Sequence, residues 1–169
     1  MTVVSELAPV GDLKPSARQL IADESFEGAV RMVQRTNPDI SKALAGRIVD
    51  EALKFVAAAA GNKTPGLALR PSRIVDEGWH ALIQDTRTYK RLTDELGRFV
   101  HHVPETPATK QHDEATVIRT LSAIERAGYV PDLYLWAKET QGEVLVSADC
   151  MHSECTEGGS NCTAPPQAV

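Results

Sequence analysis

The chemistry in this 169-residue chain is concentrated in two stretches. The first, between Val75 and Pro104, carries Asp76, Glu77, Trp79, His80, Tyr89, His101 and His102. The second, near the C-terminus, carries Cys150, His152, Cys155 and Cys162. Asp76 and His80 are four residues apart. On a helix, at about 100° per residue, they stand one turn above the other and their side chains meet. They then either share a hydrogen bond or aim at one ion. His101 and His102 come later, in a segment read as extended, where neighbours point to opposite faces and one of the two reaches the site. One Asp with two His is the ligand set of a facial Fe(II) site, or of a Zn²⁺ site with an open position. The competing reading is an Asp–His hydrogen bond at the rim of a core helix, with His101-His102 in solvent.

The tail has the spacing C-x-H-x₂-C-x₆-C. Three thiolates and an imidazole are a legitimate structural Zn²⁺ set, although C-x₂-C pairs are more usual in zinc loops. The alternatives are free thiols on a disordered tail, or a disulfide between two of them. A site shared with the central histidines is a further option. The candidate metal ligands are therefore Asp76, His80, His101, His102, Cys150, His152, Cys155 and Cys162, with Zn²⁺ as first choice and Fe²⁺ as second. There is no dinucleotide glycine fingerprint, P-loop or nucleophile elbow, so no nucleotide signal. The Cys–His spacing is not that of haem attachment. Glu51, Glu77 and Glu125 do not supply the paired Glu-x-x-His motifs of a di-iron bundle.

The elements that hold these residues read as helical. Apolar residues are 42% of the chain and aromatics 5%, with much of the apolar share Ala, which favours close helix packing over a β-sandwich. The expected fold is all-α: a bundle of about five to six helices with an irregular Cys-containing tail. The expected units are a flexible arm over 1–15, a helical domain over 16–140 and the tail over 141–169. The segments are a short helix over Ser16–Ala22, a helix capped by Ser25 and stopped by Asn37-Pro38, and a long helix from Asp39 or Ser41 to Ala60. Ser72 caps a helix through Gln84, and Thr86 a second through Leu96, the two being separate or one bent helix. Asp113 caps a helix to Ala127 with Val117, Ile118, Leu121 and Ile124 inward. Pro131 starts a last helix through Lys138 carrying Leu133, Leu135 and Trp136, and Val144–Val146 is a short extended piece. On the Ser72–Gln84 helix, Ile74, Val75, Trp79, Leu82 and Ile83 form the apolar half, with Asp76 and His80 at its rim. Trp79 is expected to be buried.

The string Val75-Asp76-Glu77-x-Trp79-His80-x-x-Ile83-x-x-Thr86-x-x-Tyr89, followed by Gly97-Arg98-Phe99-x-His101-His102-x-Pro104, resembles the glycine-rich domain-containing protein-like family. The resemblance covers roughly residues 39–137. It implies helical character and an Asp…Trp-His core carried by Asp76, Trp79, His80 and Tyr89, and it implies no particular reaction. Many members read Trp-His-x-His; the second His position is Leu82 here.

The balance of 18 Lys+Arg against 23 Asp+Glu, a net charge of −5, argues against nucleic acid or an anionic membrane as partner. No segment approaches the roughly 18 apolar residues of a membrane span, and residues 1–13 have no signal-peptide pattern, so the expected location is cytoplasmic. Three functional readings remain. The first is a small soluble helical metal-binding protein. The second is a metal-dependent enzyme with Asp76 or Tyr89 as proton carrier. The third is a module that docks a protein or peptide partner, or a carrier whose Cys-rich tail is presented or modified.

Overall fold

The longest apolar stretch of the chain becomes the centre of the molecule. In the computed structural model, helix α2 (Lys42–Gly61) is buried on nearly every side from Ala45 to Ala60. The structure describes residues 13–64, 68–104, 114–142, 144 and 150–152, with Pro104 and 150–152 described by backbone. Ser41 caps α2, accepting the N–H of Leu44 at 3.1 Å. Helix α1 (Asp23–Thr36), helix α3 (Arg73–Gln84) and helix α5 (Glu114–Arg126) each pack on α2; α1 and α3 also pack on one another, and helix α4 (Thr86–Glu95) packs on α3. The described residues are thus mostly helical, with 3₁₀ turns at Arg18–Leu20, Leu133–Trp136 and Lys138–Thr140. Sheet is confined there to two three-residue strands, β1 (His102–Pro104) and β2 (Cys150–His152), paired antiparallel.

Two charges inside α2 are built into the core. Glu51 accepts from Trp136 Nε1 at 2.7 Å and from the Asp132 N–H at 3.1 Å, and Lys54 donates to Glu51 at 3.0 Å and to the Val130 carbonyl at 2.9 Å. Each buried charge thereby has an opposite charge and neutral partners, the condition under which burial is tolerated. The network ties residues 130–136 to the central helix. Lys14 joins the same region by bonding Gly128 and Val130 on either side of Tyr129.

Several local expectations change. The Ser16–Ala22 helix is the 3₁₀ turn Arg18–Leu20, because the Ser16 hydroxyl and Ala17 N–H are both held by Asp50 of α2, at 2.7 and 2.8 Å. Ser25 does not cap α1, which starts at Asp23 with Asp23 and Glu24 in the first turn; the Ser25 hydroxyl instead meets Thr88 of α4 at 3.0 Å. α3 and α4 are two helices, and Asp85 rather than Thr86 caps α4, accepting the Thr88 N–H at 3.1 Å. In α5 Ile124 is buried and Val117 and Leu121 pack half-buried against the core, as expected, but Ile118 is 56% exposed and Thr116, Thr120 and Ala123 are buried. The threonines can turn inward because Thr120 returns its hydroxyl to the Thr116 carbonyl at 2.9 Å and accepts the Arg70 N–H at 3.2 Å. Beyond Pro131 the chain forms 3₁₀ turns with about three residues per turn, so Leu135 and Trp136 are buried and Leu133 is 64% exposed. Gly97 and Gly128, with φ of 79° and 90°, end α4 and α5 in the left-handed conformation that glycine adopts without steric cost. Asp113, Leu145 and Val146 lie outside the described residues.

Candidate metal centre

α3 is seated first. Ser72 caps it by accepting the Val75 N–H at 3.2 Å, and its hydroxyl donates to the Leu135 carbonyl at 2.6 Å, so one buried side chain fixes both the helix start and its place on the Leu133–Trp136 turn. Gly78 then lets α3 lie against α2. A Cβ at that position would stand 2.6 Å from the Ile48 carbonyl oxygen and 3.0 Å from the Ala52 methyl. This close approach buries the helix on both sides. Asp76, expected at the rim, is 1% exposed, and Glu77 is buried beside it.

Trp79 is fully buried, as expected, and does more than fill space. Its ring lies 5.0 Å from Phe55 and, edge-on, 4.6 Å from the His102 imidazole. Its Nε1–H donates to the Tyr89 hydroxyl at 3.0 Å, and that hydroxyl donates to the Val100 carbonyl at 2.6 Å. Arg98 adds a bond to the Asn62 carbonyl at 2.6 Å. The segment leading into β1 is thereby pinned to α4 and to the end of α2, two residues before His102. Tyr89 is buried and its pKa is pushed up by desolvation, against a smaller opposing effect of the Trp79 bond. Its hydroxyl links the Trp79 indole to the Val100 carbonyl and so acts as a strut between α3 and the segment before β1.

With both supports in place, three side chains converge. Asp76 Oδ1 is 3.4 Å from His102 Nε2, Asp76 Oδ2 is 3.9 Å from His80 Nδ1, and the two imidazoles are 4.4 Å apart at their centroids. One donor atom from each of the three lies within 4.8 Å of the others. A metal about 2 Å from each donor in a tetrahedral arrangement separates the donors by roughly 3.3 Å, which the Asp76–His102 pair matches and which the set, within 4.8 Å, would reach by a small closing movement. Both Asp76 oxygens and His102 Nε2 are buried with no hydrogen-bond partner among the described residues. Burial holds the His80 imidazole below the ordinary histidine pKa, Asp76 works against this and His102 reinforces it. The result favours the neutral ring, which is the form that ligates.

Asp76, His80 and His102 are thus brought together. His101 is not; its ring lies against Phe99 at 4.7 Å. Cys150 and His152 belong to β2, whose register pairs His102 with His152, Val103 with Met151 and Pro104 with Cys150. Cys155 and Cys162 lie outside the described residues. Sequence reasoning passed over Glu77 as a site residue. Its Oε2 is 4.0 Å from His80 Nδ1, and the signal available was its place beside Asp76 and three residues before His80.

No helix among the described residues is long and apolar enough to cross a membrane. A search of curated proteins found no match, nor did a search of solved structures. A family model described as UCP032817-like matches residues 17–125. This corrects the resemblance to the glycine-rich domain-containing protein-like family. That resemblance rested on a motif confined to 75–104, whereas the matching model runs over the helical framework from the turn before α1 through most of α5. The chain belongs to the UCP032817-like family.

Proposed function

We propose that this chain is a metal-binding protein whose Asp76, His80 and His102 hold a divalent transition metal, Zn²⁺ first and Fe²⁺ second. One observation carries the reading: Asp76 is 1% exposed, neither of its oxygens has a hydrogen-bond partner among the described residues, and two imidazole nitrogens stand 3.4 and 3.9 Å away. A carboxylate buried without hydrogen bonds is expensive, and such groups pair or coordinate metals. A dication would neutralise it and use both imidazoles in their neutral form. Two nitrogens and a carboxylate oxygen suit Zn²⁺, which has no geometric demand of its own, and match the facial set that leaves positions open on Fe(II).

The metal-dependent enzyme is the second reading. His80 and His102 keep 19% and 14% of their side chains exposed, so an open coordination position would face a side that water or substrate can approach. The test is the metal content of protein purified without a histidine tag. About one equivalent in the wild type, lost in His80→Ala and in His102→Ala, is the expected result. A wild-type protein free of metal, and unable to take up Zn²⁺ or Fe²⁺ after chelation and refilling, would defeat the reading and leave the cluster as a packing device.

A further inference from the structure

Asp76, His80 and His102 are three ligands, and a closed tetrahedral site needs a fourth. Helix α3 carries one more carboxylate at this place. At about 100° per residue, His80 lies one turn further along the helix, with Asp76 about 40° to one side of it and Glu77 about 60° to the other. The distances agree with this placement. His80 Nδ1 stands 3.9 Å from Asp76 Oδ2 and 4.0 Å from Glu77 Oε2. One imidazole nitrogen is thus flanked by two carboxylates, each just beyond hydrogen-bond reach. That is the spacing of groups with room for an ion among them.

Charge gives a second argument. Asp76 and Glu77 are consecutive residues, 1% and 3% exposed. Like charges buried side by side disfavour one another, and an ion of opposite sign between them removes the conflict. With both imidazoles neutral, as ligands must be, a dication and one carboxylate would leave a net positive charge in the core. A dication and two carboxylates sum to zero. Glu77 lies outside the group of ligand atoms that are all within 4.8 Å of one another. Its side chain has three rotatable bonds, so the carboxylate can swing to the ion while Gly78 keeps the helix backbone seated on α2.

We propose that Glu77 is the fourth ligand of the metal centre, closing it as a site of two imidazoles and two carboxylates, with three of the four donors coming from residues 76–80 of α3. This rests on the reading of Asp76, His80 and His102 as metal ligands. It makes Glu77-Gly78-Trp79-His80 a Glu-x-x-His pair, the i,i+3 spacing with which a helix presents a carboxylate and an imidazole to one ion. In the enzyme reading, water or substrate then enters as a fifth ligand, an expansion that zinc permits.

The experiment titrates the chelator-stripped full-length protein with Co²⁺, whose visible bands report its coordination. Variants are compared after circular dichroism confirms their helix content. Glu77→Gln is expected to weaken Co²⁺ binding at least about 10-fold, as loss of a ligand should exceed the loss of a supporting contact, and to shift the visible bands. Glu95→Gln, which removes an exposed carboxylate at the end of α4, should bind as the wild type. A second measurement needs no variant. In wild-type protein whose glutamates carry ¹³C at the side-chain carboxyl, Co²⁺ should shift a labelled carboxylate stretch in the infrared difference spectrum. Unchanged affinity and bands in Glu77→Gln, or a labelled stretch that does not move, would overturn the proposal; loss of binding in His80→Ala would then leave the three-ligand centre standing. Weaker binding with unchanged bands would make Glu77 a charged neighbour of the ion rather than a ligand, and would overturn it too. Absence of Co²⁺ binding by the wild type would defeat both this proposal and the centre on which it rests.

Discussion

Asp76 is the residue whose environment separates metal binding from packing most cleanly. In the metal-free protein its carboxylate is a buried group without hydrogen bonds among the described residues, so removing its charge should relieve a cost. With metal bound, the same change removes a ligand. Asp76→Asn should therefore melt no earlier than the parent when both are measured with a chelator present, and should bind Zn²⁺ at least about 10-fold more weakly. A variant destabilised in the chelator by about 1–3 kcal/mol would show instead that Asp76 makes a structural hydrogen bond. Trp79 carries the opposite expectation. Its buried ring packs on Phe55 and His102 and its N–H holds Tyr89, so Trp79→Ala should cost about 3–5 kcal/mol in denaturant unfolding and weaken metal binding together with stability. Wild-type stability in that variant would mean that α3 is rotated and His80 misplaced with it.

At the level of the helices, α3 depends on how closely it lies against α2. Gly78→Ala drives a methyl group against the Ile48 backbone carbonyl, which cannot swing aside as the end of a flexible side chain would. The expected cost is about 1–3 kcal/mol in chemical unfolding, despite alanine's better helix propensity, and an unchanged or raised midpoint would contradict the close packing. α4 is held at its start by Asp85. The Thr88 hydroxyl, then the Thr88 N–H, keep this carboxyl below the usual carboxylate range, with burial opposing. The folded protein thus holds its proton less readily than the unfolded chain. The cap's contribution is complete above the unfolded value of about 3.9 and is lost as pH falls through the lower folded value. Asp85→Ala should cost about 1 kcal/mol at neutral pH, and the gap between variant and parent should close in acid. A gap that stays constant across that range would rule out the charged cap.

For the molecule as a whole, an ion that joins α3 to β1 is a ligand of the folded state. Free Zn²⁺ at 100 times its dissociation constant would stabilise the fold by about 2.7 kcal/mol. Chelation should accordingly lower the melting temperature by about 5–10 °C for a chain of this size, and should do nothing to His80→Ala. Equal melting with and without chelator in the wild type would leave α2 and the Glu51–Lys54 network to account for stability unaided. That network, with Trp136 and Asp132 bound to Glu51, shows one way the fold places charge in its centre: Glu51 and Lys54 are matched to one another and to neutral partners.

What local spacing settles, and what only long-range contacts settle, divide along a physical line. Hydrophobic period and capping residues were enough to place α2 and α3, to start α3 at Ser72 and to narrow the start of α2 to Asp39 or Ser41, and to bury Trp79, because these follow from one helix and its own side chains. The pairing of Asp76 with His80 was legible for the same reason, since four residues make one turn in any α-helix. The depth of Asp76 was not legible. It depends on the missing Cβ of Gly78 and the α2 carbonyl it faces, a contact 30 residues distant in sequence, between Gly78 and Ile48. Nor could the sequence choose between His101 and His102. Adjacent residues of an extended segment face opposite ways, and which faces the core depends on how the segment is anchored. Here the Trp79–Tyr89–Val100 chain of hydrogen bonds sets that anchor and turns His102 toward Asp76. The inward threonines of α5 and the exposed Leu133 escaped for a related reason: residue type is a weak guide where a hydroxyl finds its own partner, or where a 3₁₀ turn replaces the expected helical period.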